Sequence, residues 1–311
     1  MKRKILTTGT TGLLGSEIIA LESTAIGISS KECDLTETNH AILTLEDGQV
    51  DTVIHCAARV GGVKANTDYV ADFFDDNVKM NMNVLDACRE RNLKLVSVLS
   101  TCIYPDAPYV KYPLTEDQLH MGPPHPSNFG YAYAKRMLEV QSRAYRQQHG
   151  CNFISVIPNN LYGPNDNYDL NSGHVIPALI RKFHEAIVSK KREVIIWGSG
   201  KPLREFTFAR DAASIILWLA QNYDGELPVN IGNPQQVSIE NLALTISGEM
   251  NYQGTIRFDT SKPDGQFKKP SSNEYLRSLG WKGEYTSLRE GLKETIKSFR
   301  SRYPNVRGVT I

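Results

Sequence analysis

"ILTTGTTGLLGSEI", residues 5–18, runs from a short strand-like stretch through three glycines into a helical pattern. Gly9, Gly12 and Gly15 stand at that junction, where the lack of a Cβ permits a tight turn and a close backbone approach to a pyrophosphate. The anion then rests on the helix N-terminus, whose free N–H groups and dipole favour negative charge. The spacing is G-x-x-G-x-x-G rather than G-x-G-x-x-G, and alone it would also suit a structural turn. Its place one strand into the chain, with a helix directly behind, points to a dinucleotide site held by Gly9, Thr10, Gly12, Leu13, Leu14 and Gly15.

Outward from this loop, short apolar runs alternate with longer helical patterns. "DTVIHCAA", "KLVSVLST" and "NFISVIPNNLYG" read as strands, and "DNVKMNMNVLDACRERN" and "YAYAKRMLEVQSRAYRQQHG" as helices. That rhythm predicts an α/β fold: a Rossmann-like doubly wound parallel sheet with crossover helices. After "NNLYGPND" the texture changes, and proline and turn residues thicken toward "TSKPDGQFKKPSSN". The expected organisation is a cofactor-binding domain over residues 1–165, to which residues 205–235 return, and a smaller mixed α/β substrate lobe formed mainly by 166–311.

The 311 residues carry 35 Lys and Arg against 34 Asp and Glu, a net charge of +1, so no basic field favours nucleic acid or an anionic membrane. Any anionic ligand has to be held by a local pocket. Five scattered cysteines without C-x-x-C spacing suggest neither a disulfide framework nor a zinc site, and no H-x-x-x-H or carboxylate cluster points to a metal. "MKRKILTTGTTG" has too short an apolar stretch for a signal-peptide core, and no later run is long enough to span a membrane. A cytoplasmic enzyme is expected.

The second strand is expected to end near "AIGISSKECDL". An acidic residue there would bind the ribose 2′-hydroxyl of NAD; Ser29, Ser30 and Lys31 suit a 2′-phosphate instead, which favours NADP(H) despite the nearby Glu32. Asp34 is placed to accept from the adenine amino group. Further along, Tyr131 and Lys135 are spaced i, i+4 on one helix face, where an ammonium would lower the tyrosine pKa from its usual value of about 10. Ser100 ends the strand "KLVSVLS" and can share a substrate carbonyl oxygen with Tyr131. Thr101 is the alternative, although strand alternation lets only one of the two face the ligand.

Cys102 follows this hydroxyl pair at once. A free cysteine is often a small buried hydrophobe; here a chemical role stands equally open, because a ketone reductase needs no thiol but an epimerase does. In a 4-keto sugar the C4 carbonyl acidifies the hydrogens on C3 and C5, and inversion needs an acid and a base flanking the ring. His174 alone reads as a surface or capping residue, with His184 as a competing choice.

The glycine loop, "HCAA", Ser100, the Tyr131/Lys135 pair and "NNLYGP", in order over most of the chain, resemble the extended short-chain dehydrogenase/reductase family. "HCAARVGGVKAN", "STCIYP", "GHVIPALIRKFHEA", "WGSGKPLREF" and "KPDGQFKKP" are similar to its branch that converts GDP-4-keto-6-deoxy-D-mannose to GDP-L-fucose by 3,5-epimerisation and 4-reduction. The resemblance implies Cys102 as base and His174 as acid. It implies Ala57, Ala58 and Asn160 beside the cofactor, with Lys135 on its ribose. For the GDP-sugar it implies Asn160, His174, Lys182, Trp197, Arg204 and Lys269, and for the assembly a homodimer through helices flanking the sheet. Lys182 stands where some members carry arginine, and Asn159 where threonine is more familiar. A 4-reductase, a 4-epimerase or a 4,6-dehydratase are the related alternatives; dehydratases typically carry Asp and Glu where Cys102 and Ile103 stand. A non-catalytic dinucleotide-binding regulator would not need Ser100, Tyr131 and Lys135 together.

Overall fold

The computed structural model describes residues 4–37, 48–262 and 264–309. In chain order its elements are β1 (Ile5–Thr8), α1 (Leu13–Leu21), β2 (Ile26–Ile28), β3 (Thr52–His55), α2 (Val63–Asp68), α3 (Val70–Glu90), β4 (Lys94–Val98), α4 (Phe129–His149) and β5 (Phe153–Ile157). There follow β6 (Asn160–Tyr162), α5 (Val175–Val188), β7 (Glu193–Trp197), β8 (Leu203–Phe208), α6 (Ala209–Asn222), β9 (Val229–Asn230), β10 (Gln236–Ser238), α7 (Ile239–Met250), β11 (Thr255–Asp259), α8 (Glu274–Ser278) and α9 (Leu288–Arg302).

A six-stranded parallel sheet has the order β2-β1-β3-β4-β5-β9. Every residue of β1, β3, β4 and β5 is buried, as expected where helices cover both faces of a parallel sheet. One face packs Leu6, Val53, Leu95 and Phe153 toward α3 and α4, the other Ile5, Ile54, Val96 and Ile154 toward α1 and α6. The chain leaves β1 for β2 on one side and returns to β3 on the other, so the crevice of a topological switch opens at their carboxyl ends.

"NFISVIPNNLYG" is two strands rather than the single one expected. β5 stops before Pro158, which has no N–H to offer a ladder, and β6 joins a separate sheet of order β10-β8-β6. β7 pairs with β11, and a third core, including Phe183, Phe206 and Phe299, gathers these strands with α5, α7 and α9. The helix signals in the sequence have clear local causes. α4 ends at Gly150 in the left-handed region (φ 70°), and α9 starts with a capping box of Ser287 and Glu290.

Candidate active site

A cleft of about 1410 Å³ runs along the carboxyl ends of the large sheet and out to β7, β8 and the segment near Lys269. Its floor is the glycine loop. Gly9 has φ +71°, and a methyl group there would lie 2.9 Å from the Ala57 backbone; one on Gly15 would lie 2.4 Å from Gly9 O. These contacts are the cradle that a pyrophosphate on the α1 N-terminus requires, and the chain fits such a group. Gly15→Ala is accordingly expected to force the loop apart, weakening NADPH binding at least about tenfold and costing about 1–3 kcal/mol of stability. Fluorescence titration and thermal melting check both effects. Thr10 departs from its expected place: it does not line the cleft, and its Cγ2 would stand 3.0 Å from a methyl on Gly27, because the loop turns it toward β2. Thr11 lines the cleft instead, with Leu13, Leu14, Ala57 and Ala58.

At the tip of β2, Ser29, Ser30, Lys31 and Asp34 all line the cleft. Glu32 turns back and accepts from the Ser29 N–H and hydroxyl, both at 2.7 Å, which lowers its pKa. Its charge is thereby directed to the loop's own donors. Asp34 Oδ1 accepts from Thr36 N and Oγ1 at 2.9 and 2.7 Å, bonds that lower its pKa and shape the turn.

β4 ends at Val98, and Thr101–Ile103 form a single 3₁₀ turn capped by Ser100. Strand alternation therefore stops short of these residues, and Ser100, Thr101 and Cys102 all line the cleft. Ser100 Oγ accepts from Cys102 N and donates to Cys102 Sγ, both at 3.3 Å. Tyr131, in the first turn of α4, meets Phe73 edge-on with ring centroids 6.5 Å apart. Burial raises its pKa, the Cys102 charge adding to the effect and the Ser100 hydroxyl opposing it. The sequence-based expectation of a lysine-lowered tyrosine is not what the structure has. Lys135 Nζ donates to Val98 O at 2.8 Å, and burial lowers its own pKa to about 8.

Asn160, His174, Trp197, Arg204 and Lys269 all line the cleft. His174 stands at the N-cap position of α5 without a side-chain capping bond and is exposed to the cleft, yet the enclosing walls hold its pKa below the ordinary imidazole value. Asn160 Nδ2 donates to Glu205 O at 2.8 Å. Asn159 is buried and structural, bonded to Thr207, Asn233 and Glu205. Arg204 projects from β8 with Nη1 on Leu203 O, and burial lowers its pKa. Burial likewise lowers that of Lys269, which lies within electrostatic reach of Cys102 and Arg204. Lys182 does not line the cleft; its Nζ donates to Ile195 O at 3.2 Å and sits 5.9 Å from the centre of the Trp197 ring, itself 59% exposed. His184 packs on Phe299 and Tyr303, away from the cleft.

The pattern of the NAD dependent epimerase/dehydratase family matches residues 5–232. The chain belongs to that family. Among curated proteins it is 42% identical to the GDP-L-fucose synthase of Dictyostelium discoideum over 98% of both chains, and 35% identical to the GDP-L-colitose synthase of Yersinia pseudotuberculosis over 95% and 97%. The crystal structure of a GDP-L-fucose synthetase from Naegleria fowleri bound to NADP superposes with a TM-score of 0.89 at 40% identity, covering 98% of this chain and 95% of that one.

In this member of the epimerase/dehydratase family several groups escape sequence reasoning. Buried Glu205 accepts from Ser271 N and Oγ and from Asn159 Nδ2, tying the strand of Arg204 to the segment of Lys269. His55 bridges Thr8 Oγ1 (2.9 Å) and Asn81 Oδ1 (3.2 Å), and burial drives its pKa to about 3. Asp166 and Arg307 also line the cleft. All these partnerships join distant stretches of chain, and no local spacing marks them. Among the described residues no helix is long and apolar enough to cross a membrane, no group of three His, Cys, Asp or Glu could hold a metal, and none of the five cysteines forms a disulfide.

Proposed function

We propose that the protein inverts C3 and C5 of GDP-4-keto-6-deoxy-D-mannose and reduces C4, using NADPH and giving GDP-L-fucose. The observation that carries this beyond plain ketone reduction is Cys102, on the cleft wall with its sulfur 3.3 Å from Ser100 Oγ. The identity to GDP-L-fucose synthases supports the substrate assignment. The six-stranded sheet, with residues 1–165 and the returning 205–235, is the cofactor half, and 166–311 supply most of the sugar-nucleotide half. NADPH supplies hydride to C4.

Ser100 and Tyr131 would hold the C4 oxygen, first stabilising the enolate formed when C3 or C5 is deprotonated and then the oxyanion of reduction. Cys102 would remove the proton and His174 return one from the opposite face. A neutral imidazole cannot deliver a proton, so His174 has to be protonated first; its lowered pKa makes that form scarcer and a stronger acid. Tyr131, kept protonated by burial, is in the state that completes ketone reduction. Asn160, Arg204, Lys269 and Trp197 would bind the GDP-sugar, with Lys182 acting through its contact with the Trp197 ring. Exposed Met82 on α3 and Met137 and Val140 on α4 support a homodimer through those helices, and five cysteines outside any disulfide suit the cytosol.

Supplied with NADPH and GDP-4-keto-6-deoxy-D-mannose, the protein is expected to oxidise one equivalent of cofactor per GDP-L-fucose identified by NMR. A D-configured product would reduce the function to a 4-reductase. Lys135 gives a second check. With a pKa near 8 it is an ammonium below that pH and a neutral amine above, so NADPH affinity should weaken as pH rises through about 8, by no more than about tenfold per unit. Fluorescence titration should find that dependence in the wild type and lose it in Lys135→Met; a flat wild-type profile would contradict the ribose contact.

A further inference from the structure

Beyond α9 the chain folds back across the cleft instead of leaving the molecule. Tyr168 N donates to Arg307 O at 2.9 Å, and Arg181 Nη1 bridges Tyr168 O and Gly308 O at 3.1 and 2.9 Å, so residues 307–308 are held against the segment that leads to His174. That segment is in turn fixed to α1 by Asn165 Nδ2 on Ser16 Oγ at 2.9 Å. The outcome is that Arg307 reaches the glycine loop: a methyl on Gly12 would lie 3.9 Å from its Nη1.

The guanidinium is open to the cleft and, among the described residues, takes part in no hydrogen bond or ion pair. Beside it Asp166 is only 4% exposed, and its Oδ2 has no hydrogen-bond partner among the described residues. Burial raises the Asp166 pKa to about 7, with Arg307 opposing that rise. A cation without a bonded partner, a buried carboxylate oxygen without one and the N-terminus of α1 thus converge on one spot. Arginine suits such a position because its planar fork can take two phosphate oxygens together.

We propose that Arg307 is a cofactor-binding residue that grips the pyrophosphate of NADPH over the glycine loop, at the 5′ position of the adenosine ribose, whose 2′-phosphate is assigned to Ser29, Ser30 and Lys31. This rests on the assignment of the loop to NADPH. It adds a charged side-chain clamp from a stretch almost 300 residues away to a site otherwise built from backbone N–H groups.

The test compares two ligands binding to wild type, Arg307→Ala and Arg307→Lys: NADPH by fluorescence, and adenosine 2′-monophosphate, which lacks the pyrophosphate, by NMR titration. Loss of a charge-assisted pair should raise the NADPH Kd about tenfold to a hundredfold in Arg307→Ala, with lysine intermediate, while adenosine 2′-monophosphate binds all three alike. Unchanged NADPH affinity in the alanine variant would overturn the proposal. Equal weakening of both ligands would overturn it as well, since the residue would then act through the fold. A wild type that binds neither ligand would instead overturn the cofactor assignment, and the proposal with it.

Discussion

Cys102→Ser is expected to lower the rate of hydrogen exchange at C3 and C5 of the keto sugar by about 10²–10⁴-fold, the usual weight of a general base, while leaving NADPH affinity unchanged. A serine hydroxyl holds its proton far more tightly than a thiol, yet it is nearly the same shape and can keep the contact with Ser100 that now measures 3.3 Å. Cys102 lies on a capped 3₁₀ turn and is only half-buried, so the exchange costs little packing. Cys88, which is fully buried with a thiol pKa raised by its surroundings, provides the contrast of a structural cysteine. Exchange monitored by NMR in deuterated buffer decides the matter; a serine variant within threefold of wild type would return Cys102 to packing.

The second large effect is expected from Tyr131→Phe, which should slow NADPH oxidation with the keto sugar by about 10²–10⁴-fold. Phenylalanine retains the ring that meets Phe73 and so preserves the first turn of α4. In the proposed mechanism it removes the proton that the C4 oxygen would acquire as hydride arrives, and one of the two hydroxyls that would hold that oxygen. Stopped-flow absorbance under single-turnover conditions measures the step, with the NADPH Kd as the control for folding. Undiminished oxidation would exclude Tyr131 as the proton donor.

Residues that depend on chain-local geometry were the legible ones. Three glycines in seven residues and the i, i+4 pair of Tyr131 and Lys135 carry their meaning within one turn of backbone, and the apolar alternation marks the parallel sheet in the same way. Cys102 was legible as a question but needed family context to become a candidate base. What escaped was set by tertiary packing. The carbonyl of Val98 takes the Lys135 ammonium, Pro158 diverts one expected strand into two sheets, and the turn after β1 hands the cleft Thr11 in place of Thr10. Lys182 is held over the Trp197 ring, bonded to Ile195 O, by the packing of α5 on β7 rather than lining the cleft. Glu205 and Arg307 lie beside residues far away in sequence, and such separations leave no periodic trace.

Burial also reverses the electrostatic argument made from spacing alone. An ammonium four residues along the helix lowers a tyrosine pKa only if the two groups face each other more strongly than the protein desolvates the phenolate. Here desolvation dominates and holds the Tyr131 pKa above its ordinary value. The same balance leaves Lys135 near 8, within reach of deprotonation under mildly alkaline conditions.

The most direct measurement is turnover of GDP-4-keto-6-deoxy-D-mannose with NADPH in deuterated water, with the product read by NMR. Removal of the C3 and C5 hydrogens by a base on the protein, followed by solvent-derived reprotonation from the other face, predicts GDP-L-fucose carrying deuterium at both positions. An uninverted product without deuterium at C3 and C5 would contradict the account, leaving Ser100, Tyr131 and Lys135 as the site of a simple reductase.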